Sequence, residues 1–445
     1  MPDTIAAIAT CPAPSAIGIL RLSGPEAVGV VDRVFVPFRG GPMEGRPDRT
    51  LIYGVLHDRE GVPIDHCLAT VSRAPHSYTG EDTAELQCHG SPAVLALALE
   101  ALFHAGARQA QAGEFTRRAF LNGRLDLTRA EAVADLIHAE SPAAVRHAVG
   151  RLGGALERAV EGIYQELADL CAHFHAVLDY PDEDIEPFEA RELAQGLGRA
   201  AAELDALAAT YRRGRLLDEG APCAIVGRPN AGKSTLFNAL LGYERAIVTP
   251  VPGTTRDTVE ERSSFGGVLL RFIDTAGLRE TDDEAERLGV ERSRAAIERA
   301  ELILAVTDGS ETPSREDEEA LGMAAASGKP WIWVVSKRDL MGPGASWSAD
   351  RAGRAPAAVV SLSAKTGEGL EELERTVAAL FPQDAGEAQA GTMLTNARQA
   401  EAAQRARQAV ERGAQALAAG FSPDAVVADV EQAMSALGEL TGRTV

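Results

Sequence analysis

Five short apolar runs at residues 223–226, 269–273, 302–306, 331–335 and 358–361 alternate with helix-like segments. That alternation is the pattern of a parallel sheet covered by helices, because parallel neighbours need a crossover between them. The first run passes directly into Gly227-Arg228-Pro229-Asn230-Ala231-Gly232-Lys233-Ser234, a GxxxxGK[ST] loop that opens a helix predicted over 234–241. Backbone N–H groups of such a loop wrap a β-phosphate, and an ammonium at Lys233 neutralises β and γ oxygens. A hydroxyl at Ser234 reaches Mg²⁺. Asn230, Ala231, Gly232, Lys233, Ser234 and Thr235 are therefore candidate nucleotide-binding residues.

Around this α/β segment the texture differs. Residues 1–118 mix β-like runs at 17–22, 51–56 and 67–71 with Gly/Pro turns and one apolar helix beginning near Ser91-Pro92, which reads as an α+β domain. Residues 119–215 and 383–445 carry helical spacing, as in Ala130, Val133, Ala134 and Ile137. The prolines and carboxylates of 180–187 interrupt the first of these stretches. The expected organisation is a multidomain α/β chain: an α+β domain (1–118), a helical domain in two halves (119–215 and 383–445), and a P-loop α/β domain inserted between them (216–382).

The loops at the strand ends specify the nucleotide. Asp274-Thr275-Ala276-Gly277 ends a strand, so Asp274 can hold the magnesium shell while Ala276 and the Gly277 amide meet the γ-phosphate. Thr254-Thr255 lies in a loop where a second hydroxyl, Thr255, can close over Mg²⁺. Ser336-Lys337-Arg338-Asp339 and Ser363-Ala364-Lys365 follow the last two strands. These elements resemble the guanine-specific motifs of translation-factor-like GTPases. Asp339 would pair with guanine N1–H and N2–H, and Lys337 would pack on the base. Ser336 stands where those proteins usually carry Asn, and its shorter side chain is expected to lose a hydrogen bond worth about 0.5–1.5 kcal/mol. Leu278 occupies the place of the water-orienting glutamine and cannot polarise water. By composition alone the nearby Glu280, Asp282, Asp283, Glu284 and Glu286 read as a solvated acidic face.

The 445 residues are enough for about two to four domains. Lys and Arg number 44 against 65 Asp and Glu, a net charge of −21 that disfavours nonspecific nucleic-acid binding but leaves a local basic patch open. Cys11, Cys67, Cys88, Cys171 and Cys223 are scattered without a pair at metal or redox spacing, which signals neither a disulfide framework nor a zinc site. A cytoplasmic protein without export signal or membrane span is expected.

Beyond the P-loop, residues 4–10 and 18–24, Tyr78-Thr79-Gly80-Glu81-Asp82, Glu85-Leu86-Gln87-Cys88-His89-Gly90 and residues 113–122 carry a close resemblance to the bacterial MnmE (TrmE) tRNA-modification GTPases. The resemblance implies a homodimer whose G domains meet across GTP and Mg²⁺, with K⁺ in place of an arginine finger. Asn230, Thr249, Val251 and Thr254 fall on the K⁺-ligand positions, Thr249 also among the GTP contacts, and Glu286 on the residue that orients attacking water. It implies that Lys233 and Glu286 carry catalysis. It also implies that the N-terminal domain dimerises and binds a 5-formyltetrahydrofolate-type one-carbon donor through Arg21, Glu85 and Arg124. Together with an FAD-containing MnmG-like partner in a heterotetramer, such a GTPase adds a carboxymethylaminomethyl-type group at C5 of the wobble uridine of certain tRNAs.

The family ends in Cys-Ile/Val-Gly-Lys, whereas this sequence stops at Thr441-Gly442-Arg443-Thr444-Val445. The expectation is GTP hydrolysis without uridine modification until that tail is supplied. Two other readings stand beside this one. An Era- or Der-like ribosome-assembly switch would need a basic RNA-binding appendage, and none is visible in the helical segments. A GTP-binding scaffold without catalysis conflicts with Lys233, Asp274 and Glu286.

Overall fold

The computed structural model describes residues 3–179, 190–243, 261–273, 286–342, 355–381, 391–421 and 423–443. Its contacts divide into two units, Met1–Val133 with Thr441–Arg443, and Ala134–Leu440.

In the first unit, apolar residues alternate along strands β1 (Ile5–Ile8) and β2 (Ser15–Ser23), helix α1 (Ala27–Val34) follows, and then come β3 (Phe35–Pro37), β4 (Ile52–His57), β5 (Pro63–Ser72) and β6 (Thr83–Gly90). Helix α2 (Pro92–His104), β7 (Arg108–Gln109) and α3 (Glu114–Leu121) complete it. The sheet has seven strands in the order β3-β4-β5-β6-β2-β1-β7. Period-two alternation puts Leu20, Leu22, Ala69, Val71, Ala84 and Leu86 on one face, where Val31, Leu95 and Leu102 of the helices cover them. Each fully buried Leu or Val contributes about 1.5–3 kcal/mol. The intervening residues point the other way, and the β2–β6 register sets Arg21 directly opposite Glu85. Of these strands, β6 has the plainest pattern that run-seeking missed: Thr83-Ala84-Glu85-Leu86-Gln87-Cys88 alternates polar and apolar residues and contains no continuous apolar run.

Helix α4 (Leu127–His138) begins in the first unit and ends in the second. In the second unit, helices α5 (Pro142–Leu152), α6 (Ala155–Asp179), α7 (Ala190–Ala209) and α8 (Tyr211–Glu219) precede the α/β segment, and α13 (Ala397–Ala418) and α14 (Pro423–Thr441) follow it. Residues from both sides share one core: Leu156, Ile163, Leu167, Leu197 and Leu204 pack with Ala406, Val410, Val430 and Leu437. The chain's exit and re-entry are tied together, since the Leu394 amide donates to Thr210 Oγ1 at 3.1 Å. That closeness is what lets an α/β segment be inserted without breaking the helical core. The proposed interruption at 180–187 lies outside the described residues.

The inserted segment runs β8 (Ala221–Val226), α9 (Lys233–Tyr243), β9 (Glu261–Phe265), β10 (Val268–Phe272), α10 (Glu286–Arg299), β11 (Leu302–Asp308), α11 (Arg315–Ala326), β12 (Trp331–Ser336), β13 (Ala358–Ser361) and α12 (Leu370–Leu380). Its six strands lie in the order β13-β12-β11-β8-β10-β9. All pair in parallel except β9, which forms an antiparallel hairpin with β10 through Gly266-Gly267, both at positive φ. The hairpin's first strand was not expected, because Glu261-Arg262-Ser263-Ser264-Phe265 lacks an apolar run. β8 has β11 on one side and β10 on the other, so strand order reverses there and a crevice opens beyond its C-terminal end.

Candidate nucleotide site

The P-loop leaves β8 where this crevice opens. Gly227 takes φ +151°, and a Cβ there would lie 2.2 Å from the Val306 carbonyl oxygen of β11, so any side chain would push the loop off the sheet. Asn230 holds φ +62° with its side chain exposed, and Gly232 leads into the N-terminus of α9. Lys233 folds back over the loop and donates from Nζ to the carbonyls of Gly227 at 2.8 Å and Arg228 at 2.7 Å. Burial, seconded by the charge of Arg228, pushes its ammonium below the ordinary lysine value. A phosphate here would supply the counter-charge that the lysine lacks. Ser234 and Thr235 stand exposed in the first turn of α9, where helix amides and dipole favour an anion.

Ser336, 3 % exposed, sits beneath the loop and donates from Oγ to the Ala231 carbonyl at 2.6 Å. Ser336 is thus bonded to the phosphate loop despite its short side chain. The loop passes close enough for the short side chain to reach, as the 3.1 Å between Ser336 Oγ and the Cβ position of Gly232 also indicates.

The loops after β12 and β13, expected to contact the base, leave the same edge of the sheet. Lys337 occupies left-handed φ, +55°, and its Nζ meets Asp308 Oδ2 at 2.5 Å at the end of β11. Burial raises the Asp308 carboxyl, but hydrogen bonds from Lys337 and Ser310 outweigh it, so the group stays ionised below its usual range. Asp339 follows in a single 3₁₀ turn with its side chain exposed, and the Arg338 amide donates to the Leu362 carbonyl at 3.1 Å. That bond ties the Asp339 loop to the one holding Ser363, Ala364 and Lys365. Ser363 is buried and accepts from the Thr366 amide, whereas Lys365 is exposed.

One part of the site went unnoticed in the sequence. Arg228, inside the P-loop, bonds through Nε to Asp317 at 3.1 Å and through Nη2 to Glu311 at 2.6 Å. Asp317 also forms the capping box of α11 with Ser314, so one carboxylate both starts a helix and anchors the phosphate loop. Ser314 and Asp317 at capping-box spacing were the available signal.

Thr249, Val251, Thr254, Thr255, Asp274, Ala276, Gly277 and Leu278 lie outside the described residues. Glu286 is the first residue of α10, and its side chain lies outside them as well. The parts in view fit a guanine nucleotide with Mg²⁺. Lys233 would face the phosphates, the exposed Ser234 hydroxyl the metal, and the exposed Asn230 side chain a monovalent cation.

In the first unit, Arg21 and Glu85 pair at 2.8 Å, and the Arg21 guanidinium lies over the rings of Tyr78 and Phe115 at 5.8 and 5.9 Å. Arg124 is exposed beside Gly80, close to Tyr78 along the chain. Tyr78 and Phe115 are additions to the expected set. Such a group of flat rings, a carboxylate and guanidinium groups suits a flat heterocycle with an anionic tail. Behind it, Arg118 bridges Glu81 at 3.0 Å and Glu114 at 3.0 Å. Residues 78–82 and 113–122 thus hold each other in place.

Comparison with known proteins accounts for the whole chain. Residues 127–445 match the family model described as MnmE helical domain, and residues 4–124 match GTP-binding protein TrmE N-terminus. A tRNA modification GTPase MnmE from Symbiobacterium thermophilum is 45% identical across 99% of this chain and 96% of its own length. One from Roseiflexus sp. strain RS-1 is 44% identical across 100% and 96%. Among solved structures, the FeoB G-domain from Methanococcus jannaschii covers 36% of this chain and 97% of that one, at 24% identity and a TM-score of 0.26. With both flanking domains matched and near-complete coverage at this identity, the chain belongs to the MnmE family.

Proposed function

We infer that this chain is a GTP hydrolase acting in tRNA modification, with tRNA as the macromolecule it serves. The observation that carries this reading is the joint presence of an assembled P-loop with its guanine-side loops and whole-length similarity to proteins named tRNA modification GTPase. Guanine is read by the Asp339 carboxylate, which can accept from both N1–H and N2–H, an arrangement adenine cannot match. Lys233 binds phosphate in the ground state and stabilises charge developing in the transition state. Glu286 positions the attacking water, Ser234, Thr255 and Asp274 hold Mg²⁺, and Asn230 with Thr249, Val251 and Thr254 holds K⁺. These ions supply positive charge beside the phosphates. Ala276, Gly277, Ser363, Ala364 and Lys365 complete the nucleotide contacts.

The N-terminal unit takes a formyltetrahydrofolate-type donor through Arg21, Glu85 and Arg124. The protein works as a homodimer with an FAD-containing MnmG-like partner, and the product is a carboxymethylaminomethyl-type group at C5 of the wobble uridine. Among the described residues no helix is long and apolar enough to cross a membrane.

The test supplies the chain, with and without an added Cys-Ile-Gly-Lys end, with the FAD partner, tRNA, the folate, GTP and KCl, and analyses nucleosides by mass spectrometry. Modified uridine from the extended chain, lost in Lys233→Ala, supports the reading. Unmodified tRNA from both chains while GTP is turned over would contradict it, and equal yields from both would make the tail dispensable.

A further inference from the structure

A cluster of metal-ligating groups, one buried and two exposed, lies at the margin of the helical core and includes none of the nucleotide-site or folate-side residues. Cys171 and His175 are four residues apart on α6, which puts them on one face one turn apart. Glu431, on α14, meets them from the facing helix, with His175 Nε2 and Glu431 Oε1 3.3 Å apart. One ligand atom from each of the three residues lies within 4.8 Å of the other two. Cysteine spacing does not signal this site, because the third ligand comes from 256 residues further along the chain.

We propose that Cys171, His175 and Glu431 bind a divalent cation of the zinc class, with water in the fourth position, and clasp α6 to α14. Three features support this. Thiolate, imidazole and carboxylate together are a borderline-soft donor set that suits zinc or cobalt and not magnesium or calcium. The separations need only modest contraction, since metal–ligand bonds of about 2.0–2.3 Å at tetrahedral angles put ligand atoms roughly 3.3–3.7 Å apart. The ligands also sit on well-packed elements: Leu170 and Phe174 flank Cys171 in the core, and Val427 and Val430 precede Glu431.

Access is asymmetric. Cys171 is 6 % exposed, whereas the His175 and Glu431 side chains are about half exposed, leaving an entry side and room for the water. Metal binding as thiolate releases the thiol proton to solvent and takes the imidazole Nε2 lone pair.

The probe is Co²⁺ added to the full chain in chelator-treated buffer, in a Cys11→Ser background because Cys11 is the exposed cysteine. A thiolate-to-cobalt charge-transfer band saturating at one metal per chain is expected. The nucleotide loop has no cysteine, so metal there contributes no such band. Cys171→Ser should abolish the band. Glu431→Gln, an exposed change that leaves the core intact, should weaken Co²⁺ affinity at least about tenfold, as losing one of three protein ligands requires. Zn²⁺ should displace Co²⁺ and raise the unfolding midpoint of the parent protein but not of Cys171→Ser. Absence of the band, its survival in Cys171→Ser, or unchanged affinity in Glu431→Gln would overturn the proposal.

Discussion

Replacing Ser336 by alanine removes one hydroxyl that is bonded to the phosphate-loop backbone, and its effect measures how far loop geometry governs nucleotide affinity. The Ser336 Oγ bond to the Ala231 carbonyl is 2.6 Å long and buried. A bond of this kind is worth about 0.5–1.5 kcal/mol net, which lowers affinity by about 2- to 12-fold if the nucleotide needs the loop as it stands. GDP and GTP should weaken equally, because the Ala231 carbonyl belongs to the loop and not to the γ-phosphate pocket. The ratio of GTP to ATP affinity should stay constant, since Asp339 is untouched. Titration of fluorescent GDP and GTP analogues measures both, and urea denaturation monitors the fold. Affinity unchanged within the error of the titration would show that the loop keeps its form without the bond. Loss of guanine discrimination would mean that Ser336 acts on the base and that the geometric reasoning is wrong.

Three other outcomes follow from the structure. Asp339→Asn should exchange guanine for xanthine preference, because an amide donates to the xanthine C2 carbonyl where a carboxylate accepted from guanine N2–H; competition between GTP and XTP reads this directly. Arg151→Ala should cost about 3–5 kcal/mol in urea unfolding, because it removes a fully buried guanidinium that bonds Asp135 and Thr395 and leaves a hole in its place. Asp218→Asn should stabilise the protein above pH 6 and not below pH 4. Burial and then the Asp135 charge lift the Asp218 carboxyl to about 6 from 3.8, so wild type bears the cost of ionising it only as pH rises through that window. Denaturation at pH 7.5 and 4 compares the two.

Much of this protein can be read from residue pattern because the relevant physics is local. A GxxxxGK[ST] loop after an apolar run fixes a phosphate cradle at a strand end, since only glycine tolerates the approach to Val306 at position 227. The inner parallel strands β8, β11 and β12 are legible for a similar reason, being buried on both faces and so almost continuously apolar. β6 and β9 are less so, because one alternates and the other is polar. What escaped depends on distance along the chain. The Arg228 anchor joins the P-loop to α11, the rings of Tyr78 and Phe115 meet Arg21 only after the sheet forms, and the Cys171 cluster needs α14. The Ser336 bond to the Ala231 carbonyl is likewise visible only once the backbone of the two loops is placed.

Steady-state GTP hydrolysis by this chain in KCl and in NaCl at equal ionic strength and saturating Mg²⁺ tests the central claim most directly. In the proposed site Glu286 positions the water in place of Leu278, and the cation at Asn230 offsets the charge developing on the phosphates. The account predicts turnover at least about tenfold faster in potassium, a difference of roughly 1.4 kcal/mol in the barrier, with the advantage reduced in Asn230→Ala. Equal rates in the two salts, or an undiminished potassium effect in that variant, would contradict it.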